Sequence, residues 1–193
     1  MGDKSLQKKK YIVEKARAVF AERGYKSVTM KDIVEACDIS RGGLYLYFDS
    51  TKSLFEAVLD MESEESDDVF AEKIKKDATA SEILNLFLQE QKKEILRKKE
   101  NLSIATYEFF FENNVSKKDN QIRQRFEIAV KILKKLIQDG VNQEEFYCEA
   151  PLAAARNMMF VIEGLKITAQ TLGVTSDTVE KEFAYLMQGL REN

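Results

Sequence analysis

The stretch Ser40-Arg41-Gly42-Gly43-Leu44-Tyr45-Leu46-Tyr47-Phe48 holds the side chains best suited to chemistry with a partner. Read as a helix packed inward through Leu44 and Phe48, four apart, it spreads Arg41, Gly43, Tyr45, Leu46 and Tyr47 around its outer side. A solvated helix face carries Glu and Lys there, not glycines, a leucine and two tyrosines. Gly42 and Gly43 each cost a helix about 1 kcal/mol relative to alanine, yet they let a backbone come close to another surface. Tyrosine hydroxyls and the N–H groups of a first turn, from Ser40 onward, suit phosphate oxygens; arginine suits phosphate or guanine. Contact with DNA explains this composition best. The plainer alternatives are half-buried aromatics for Tyr45 and Tyr47, and a solubilising charge for Arg41.

Other chemistry has little to work with. The chain has no histidine, which removes an imidazole base, a Ser-His or Cys-His nucleophile pair and a His-ligated metal. Cys37 and Cys148 lie 111 positions apart with no ligand-type spacing, as expected of unpaired thiols in a reducing cytoplasm. Glu108 and Glu112, at i and i+4, have the spacing of metal-holding carboxylates, but ion pairing on a helix surface explains them as well. The expectation is a non-enzyme with no cofactor and no metal. Met1 to Lys10 lacks an apolar core, and no stretch approaches the roughly 18 apolar residues of a membrane helix, so a cytoplasmic protein is expected.

Charge is unevenly placed. The net value is -3, but residues 1–52 carry 11 Lys+Arg against 7 Asp+Glu, leaving 19 against 26 in the remainder. Phosphate contact needs only local positive potential, so a basic end on an acidic body suits DNA.

The elements that must position the Ser40–Phe48 stretch follow from periodicity. One proline and 8 glycines in 193 residues favour long helices and an all-α fold. Ile12, Ala16, Val19 and Phe20 form one helical face, closed by Gly24. Thr29 with Asp32 is an acidic variant of the capping box and opens a short helix whose inward side is Ile33, Val34 and Cys37. Asp38-Ile39-Ser40 is a turn, and Ser40 N-caps a third helix from Arg41 to Phe48. A fourth, through Leu54, Phe55, Val58 and Leu59, reaches an acidic run from Glu62 to Asp68. Five longer helices follow: one from Ser81; one over 101–113; one ending near Gly140; one opening at Pro151; and a last one capped by Ser176. The expected plan is about nine helices. A three-helix helix-turn-helix domain occupies 1–52, and a larger helical effector-binding and dimerisation domain occupies 53–193.

This pattern resembles the TetR family of transcriptional regulators over about Tyr11 to Val58. The densest stretches are Thr29 to Val34 and Ile39 to Leu54. That family shows a leucine-tyrosine-x-tyrosine/histidine-phenylalanine core followed by a lysine, which Leu44, Tyr45, Tyr47, Phe48 and Lys52 fit. The resemblance implies that Thr29 caps its helix and faces a phosphate, with Lys31 nearby. It places Arg41 and Gly43 at base-reading positions, Leu46 against a thymine methyl, and Tyr45, Tyr47 and Lys52 on the backbone. Gly42 and Leu46 stand where larger or polar residues are frequent, so direct readout rests heavily on Arg41, or DNA shape contributes.

One recognition helix reads few base pairs, so a homodimer on a palindromic operator is expected. The last two helices supply the expected interface: Ala153, Ala154 and Gly164 for close approach, with Val179, Phe183, Leu186 and Leu190 as an apolar stripe. Closing the monomer core is the alternative use of that stripe. Three consecutive phenylalanines point about 100° apart, so they cannot share one core. Tyr107, Phe110 and Phe111, with Met158, Met159, Ile162 and Glu163, are the expected walls of a site for a small hydrophobic effector. The function these features imply is a ligand-responsive repressor. A constitutive binder or activator, or a helical interaction protein without ligand control, is the alternative.

Overall fold

A computed structural model describes residues 3–74, 77–97, 101–113 and 120–190, without the side chains of 65–73 and 121. Among these residues all regular structure is helical: α1 (Asp3–Arg23), α2 (Met30–Cys37), α3 (Arg41–Tyr45), α4 (Thr51–Lys73), α5 (Ala80–Leu96), α6 (Ser103–Glu112), α7 (Gln121–Asn142), α8 (Pro151–Thr171) and α9 (Ser176–Gln188). No described helix is long and apolar enough to cross a membrane.

The helices fall into two compact units, Met1–Glu72 with Lys98–Asn114, and Lys73–Arg97 with Val115–Asn193. The first therefore holds α1 to α4 and also α6. Its core is built by Ile12, Ala16 and Phe20 of α1, Ile33 and Cys37 of α2, Leu44 and Phe48, Leu54, Phe55 and Val58 of α4, and Phe109 of α6. Phe20, Tyr25, Phe55 and Phe109 meet as an aromatic cluster with ring centroids 4.7 to 6.0 Å apart. Such edge and tilted pairs contribute about 0.5–1.5 kcal/mol each beyond area burial. Arg17 and Glu62 form an ion pair beside this core.

Helix ends in this unit follow their sequence signals. Gly24 takes φ 76°, the left-handed stop after α1. Thr29 Oγ1 accepts from Asp32 N while Asp32 Oδ2 accepts from Thr29 N at 2.8 Å, completing the capping box of α2. Ser40 Oγ accepts from Gly43 N at 3.1 Å and opens α3. That helix closes at Tyr45 and passes into a turn, short of the expected Phe48; two glycines in five residues leave little propensity to carry it further. The acidic run from Glu62 does not end α4, which continues to Lys73, and the side chains of 65–68 lie outside the described residues.

In the second unit α7 packs on α8, and α5 packs on α7, α8 and α9. Leu84, Leu88, Leu133, Ile137, Ala155, Met158, Ile162, Val179 and Phe183 lie at its centre. Pro151 occupies the first turn of α8, where its missing N–H costs nothing. Thr175, not Ser176, caps α9, its hydroxyl accepting from Thr178 N at 3.1 Å. Gly140 does not end α7, which runs on to Asn142. The ring of Phe146 folds back onto Gly140 so closely that a Cβ there would collide with it. Close approach, not chain reversal, is the reason for that glycine.

Candidate nucleic-acid interface

The α2–turn–α3 element presents one continuous outer surface. Thr29, Lys31, Ser40, Arg41, Gly42, Tyr45, Leu46 and Lys52 are exposed, and Gly43 and Tyr47 are half-buried. Leu44 and Phe48 are buried beneath them and Ile33 with them, while Ile39 is half-buried. Leu46 is 83% exposed and lies beside exposed Tyr45, so apolar area is presented next to Arg41 on this face. Arg41 lies over the ring of Tyr45 with its guanidinium carbon 5.5 Å from the centroid. That stacking holds an otherwise flexible arginine at the exposed face. A Cβ built on Gly42 would meet nothing within 4 Å, so this face is open there.

Two turns frame the surface. Between α2 and α3, Asp38 adopts φ 51° and Ile39 N donates to Val34 O at 3.3 Å, which redirects the chain into Ser40. Before α4, Asp49 Oδ1 accepts from Ser53 Oγ at 2.6 Å and from Ser50 Oγ at 2.9 Å. These hydroxyls, Ser53 first, hold the Asp49 carboxyl below its ordinary range. Thr29 does the same for Asp32 through side-chain and backbone hydrogen bonds, assisted by Arg23, whose Nη1 donates to Asp32 Oδ1 at 2.9 Å. Lys31 reaches Glu35 at 3.7 Å, a loose surface pair that leaves its ammonium exposed. Burial pushes the Cys37 thiol up, so it is a core group and not a nucleophile.

A contact that periodicity did not reveal fixes the approach to α2. Glu108 of α6 accepts from Tyr25 N at 2.7 Å and from Lys26 N at 3.1 Å. Lys26 Nζ also sits 3.5 Å from Glu112, and Asn113 Nδ2 donates to Tyr25 Oη at 3.3 Å. Glu108 and Glu112 are thus ties between α6 and the α1–α2 turn. Among the described residues no cluster of three or more Cys, Asp or Glu could hold a metal.

The residues expected around an effector are divided. Tyr107, Phe110 and Phe111 belong to the first unit; Met158, Met159, Ile162 and Glu163 belong to the second. Tyr107 and Phe110 are half-buried and Phe111 is 84% exposed, the fan that a 100° step per residue imposes. Met158, Met159 and Ile162 are packed in the core of the second unit, and Glu163 pairs with Lys166 at 3.0 Å. A groove of about 400 Å³ between α5 and α9, lined by Leu88, Lys92, Glu180, Phe183 and Met187, was not anticipated.

The expected interface needs correction. Val179, Phe183, Leu186 and Leu190 are buried in the chain's own core, because α9 closes that core with this stripe. Periodicity cannot tell a stripe that closes a monomer from one that joins two copies. The outward face of α8 is open: Ala153, Asn157, Phe160, Gly164 and Ile167 are exposed at heptad spacing, with Ala154 half-buried beside them and Tyr185 exposed on α9. Phe160 is 61% exposed although its ring leans on Phe126 at 5.2 Å.

Comparison with known proteins agrees with this anatomy. A family model described as bacterial regulatory proteins, tetR family, matches residues 12–58. A second, described as tetracyclin repressor-like, C-terminal domain, matches residues 83–180. YfiR of Bacillus subtilis strain 168, an uncharacterized HTH-type transcriptional regulator, is 30% identical over 146 residues, 74% of this chain and 69% of that one. A TetR transcription regulator from Haloarcula marismortui superposes with a TM-score of 0.83 at 21% identity, over 96% of this chain and 99% of that one. AibR, in complex with isovaleryl coenzyme A and operator DNA, gives a TM-score of 0.69 at 16% identity, over 95% of this chain and 99% of that one.

Proposed function

This chain belongs to the TetR family of DNA-binding transcriptional regulators, and on that premise we propose that it is a repressor that binds a palindromic operator as a homodimer and is released by a small hydrophobic effector. The exposed face of α3 carries this reading. An arginine stacked on a tyrosine, a nearly bare leucine and two glycines on one short helix are a poor surface for water and a good one for a groove.

In this reading Arg41 reads a base edge, Gly42 and Gly43 allow the backbone to come near, and Leu46 touches a thymine methyl. Thr29, Lys31, Ser40, Tyr45, Tyr47 and Lys52 hold phosphates. Operator contact is assigned to residues 1–52, and effector response and dimerisation to residues 53–193. Two copies meet through the α8 face of Ala153, Asn157, Phe160, Gly164 and Ile167, where small residues admit close helix approach and Phe160 and Ile167 supply apolar area. Effector binding reaches the DNA-contacting element when α6 moves, because Glu108 and Glu112 leave the α1–α2 turn with it. A structural relative of the same fold, AibR, has been seen with isovaleryl coenzyme A and operator DNA, which supports a DNA binder that also takes a ligand.

The test is selection of bound duplexes from a random pool. A palindromic consensus is expected, and failure to retain any duplex at low ionic strength would overturn the regulator reading. A constitutive binder is favoured by one observation, the packing of Met158, Met159 and Ile162 into the core instead of around a cavity. A gel-shift screen in which no small hydrophobic compound releases the selected duplex would support that alternative over effector control.

A further inference from the structure

Helix α1 begins long before it has anything to bury. Its first buried residue is Ile12, so Asp3 to Tyr11 extend it by roughly 13 Å, at 1.5 Å per residue, with no buried residue, although Lys9 lies over Phe48 and Tyr11 Oη donates to Cys37 O at 3.4 Å. This stretch holds Lys4, Lys8, Lys9 and Lys10 against the single acid Asp3. Such composition works against the helix. Lys4 and Lys8 are a like-charge pair at i and i+4, which costs a few tenths of a kcal/mol, and cations in the first turns oppose the positive end of the macrodipole. Lys10 has an acidic neighbour, Glu14, at 3.9 Å; among the described residues Lys4 and Lys8 have none.

Lys9 places the N-terminal end of α1. Its Nζ lies 5.5 Å from the ring centroid of Phe48, three residues beyond α3. That end of α1 therefore borders the surface that carries Arg41, Tyr45 and Leu46, with Lys8 and Lys4 turned about 100° and 140° around the helix from Lys9. We propose that Lys4, Lys8 and Lys9 form a second DNA contact, gripping phosphates that flank the base pairs read by α3. This inference rests on the operator-binding reading and extends its footprint. Continuity with that surface and the unbalanced positive charge select a nucleic-acid backbone as the occupant. These contacts carry affinity and register but no base information.

The test uses the full chain and a duplex obtained by its own selection, with binding followed by fluorescence anisotropy from about 50 to 300 mM salt. Lys4→Gln/Lys8→Gln touches no packed group. Two lysines on each of two protomers, at about 0.9 per phosphate, should make the log–log salt slope shallower by about 3 to 4 and lower affinity at least tenfold, on every sequence alike. Adding Lys9→Gln should deepen both losses, whereas Lys10→Gln should leave them nearly unchanged. Trimming the duplex to the palindromic core should bring the unmodified protein down to the double variant. A double variant with unaltered slope and affinity, while Arg41→Ala still weakens binding, would overturn the second contact and spare the first. An equal loss from Lys10→Gln would also overturn it, by reducing the effect to net charge. Absence of any duplex binding by the unmodified protein would instead strike the operator reading itself.

Discussion

Removing the Glu108 carboxylate tests whether α6 holds the approach to the DNA-contacting helices. In Glu108→Ala the N–H groups of Tyr25 and Lys26 lose an ionised acceptor at 2.7 and 3.1 Å. A hydrogen bond to a charged acceptor contributes about 1.5–3 kcal/mol, but Glu108 is half-buried and water can replace part of it. Discounted for that exposure, the two together should be worth about 2 kcal/mol. With a urea m-value of about 1–3 kcal/mol per M, the midpoint should fall by roughly 1 M. Glu108→Gln retains one acceptor oxygen and should lose about half as much. A second perturbation reports on the same tie from the other side. Gly24 has φ 76°, and a Cβ there would stand 2.6 Å from Glu108 Oε2. Gly24→Ala should therefore cost about 1–2 kcal/mol for the left-handed backbone, and displace the carboxylate as well. Because both changes break one interaction, the double variant should be less destabilised than the sum of the singles by 1 kcal/mol or so. Strict additivity, or a Glu108→Ala midpoint within about 0.2 M of the unmodified protein, would refute the tie.

Three further outcomes follow from the same geometry. Arg41→Ala should relax base preference at one position in each half-site, costing about 1–3 kcal/mol of discrimination, whereas Lys52→Ala should weaken binding to all sequences and lower the salt slope; selection profiles and salt titrations separate the two. Phe160→Glu/Ile167→Glu places like charges on the exposed face of α8, and sedimentation should show monomers whose unfolding midpoint per chain stays close to that of the unmodified protein. Asp32 is held below the ordinary aspartate value of 3.8, chiefly by the Thr29 hydroxyl. The unfolded chain therefore takes up this proton first as pH falls, so the cap's contribution is complete above that value and lost as pH drops through the depressed one. Acid titration of helical content should show this step in the unmodified protein and not in Asp32→Asn.

Local signals were legible and long-range ones were not. The Thr29–Asp32 box, Ser40, Pro151 and the helix stop at Gly24 each act through neighbours within four residues and can be read from the order of the residues alone, whereas the close approach of Glu108 to Gly24 cannot. Glu108 acts on a turn more than eighty residues away, and nothing in its own helix distinguishes it from a solvated carboxylate. The apolar period of α9 marks a stripe, and packing gives that stripe to the chain's own core, the alternative use of the same spacing. The same spacing serves a core within one chain and a seam between two, and only packing decides. Gly140 illustrates a second ambiguity, since a glycine that stops a helix and one that admits an aromatic ring look alike in sequence. The run Phe109-Phe110-Phe111 was partly decipherable: helical geometry required the three to part company, but not which one would be buried.

The open position at Gly42 bears on redesign. A Cβ placed there would meet nothing within 4 Å, and alanine would raise helix propensity by up to about 1 kcal/mol, so the fold does not resist a small side chain. If the proposed operator contact holds, a side chain at Gly42 would trade close backbone approach for a new contact in the groove, so its cost would fall on binding and not on folding. A protein engineer could begin retargeting at the same place.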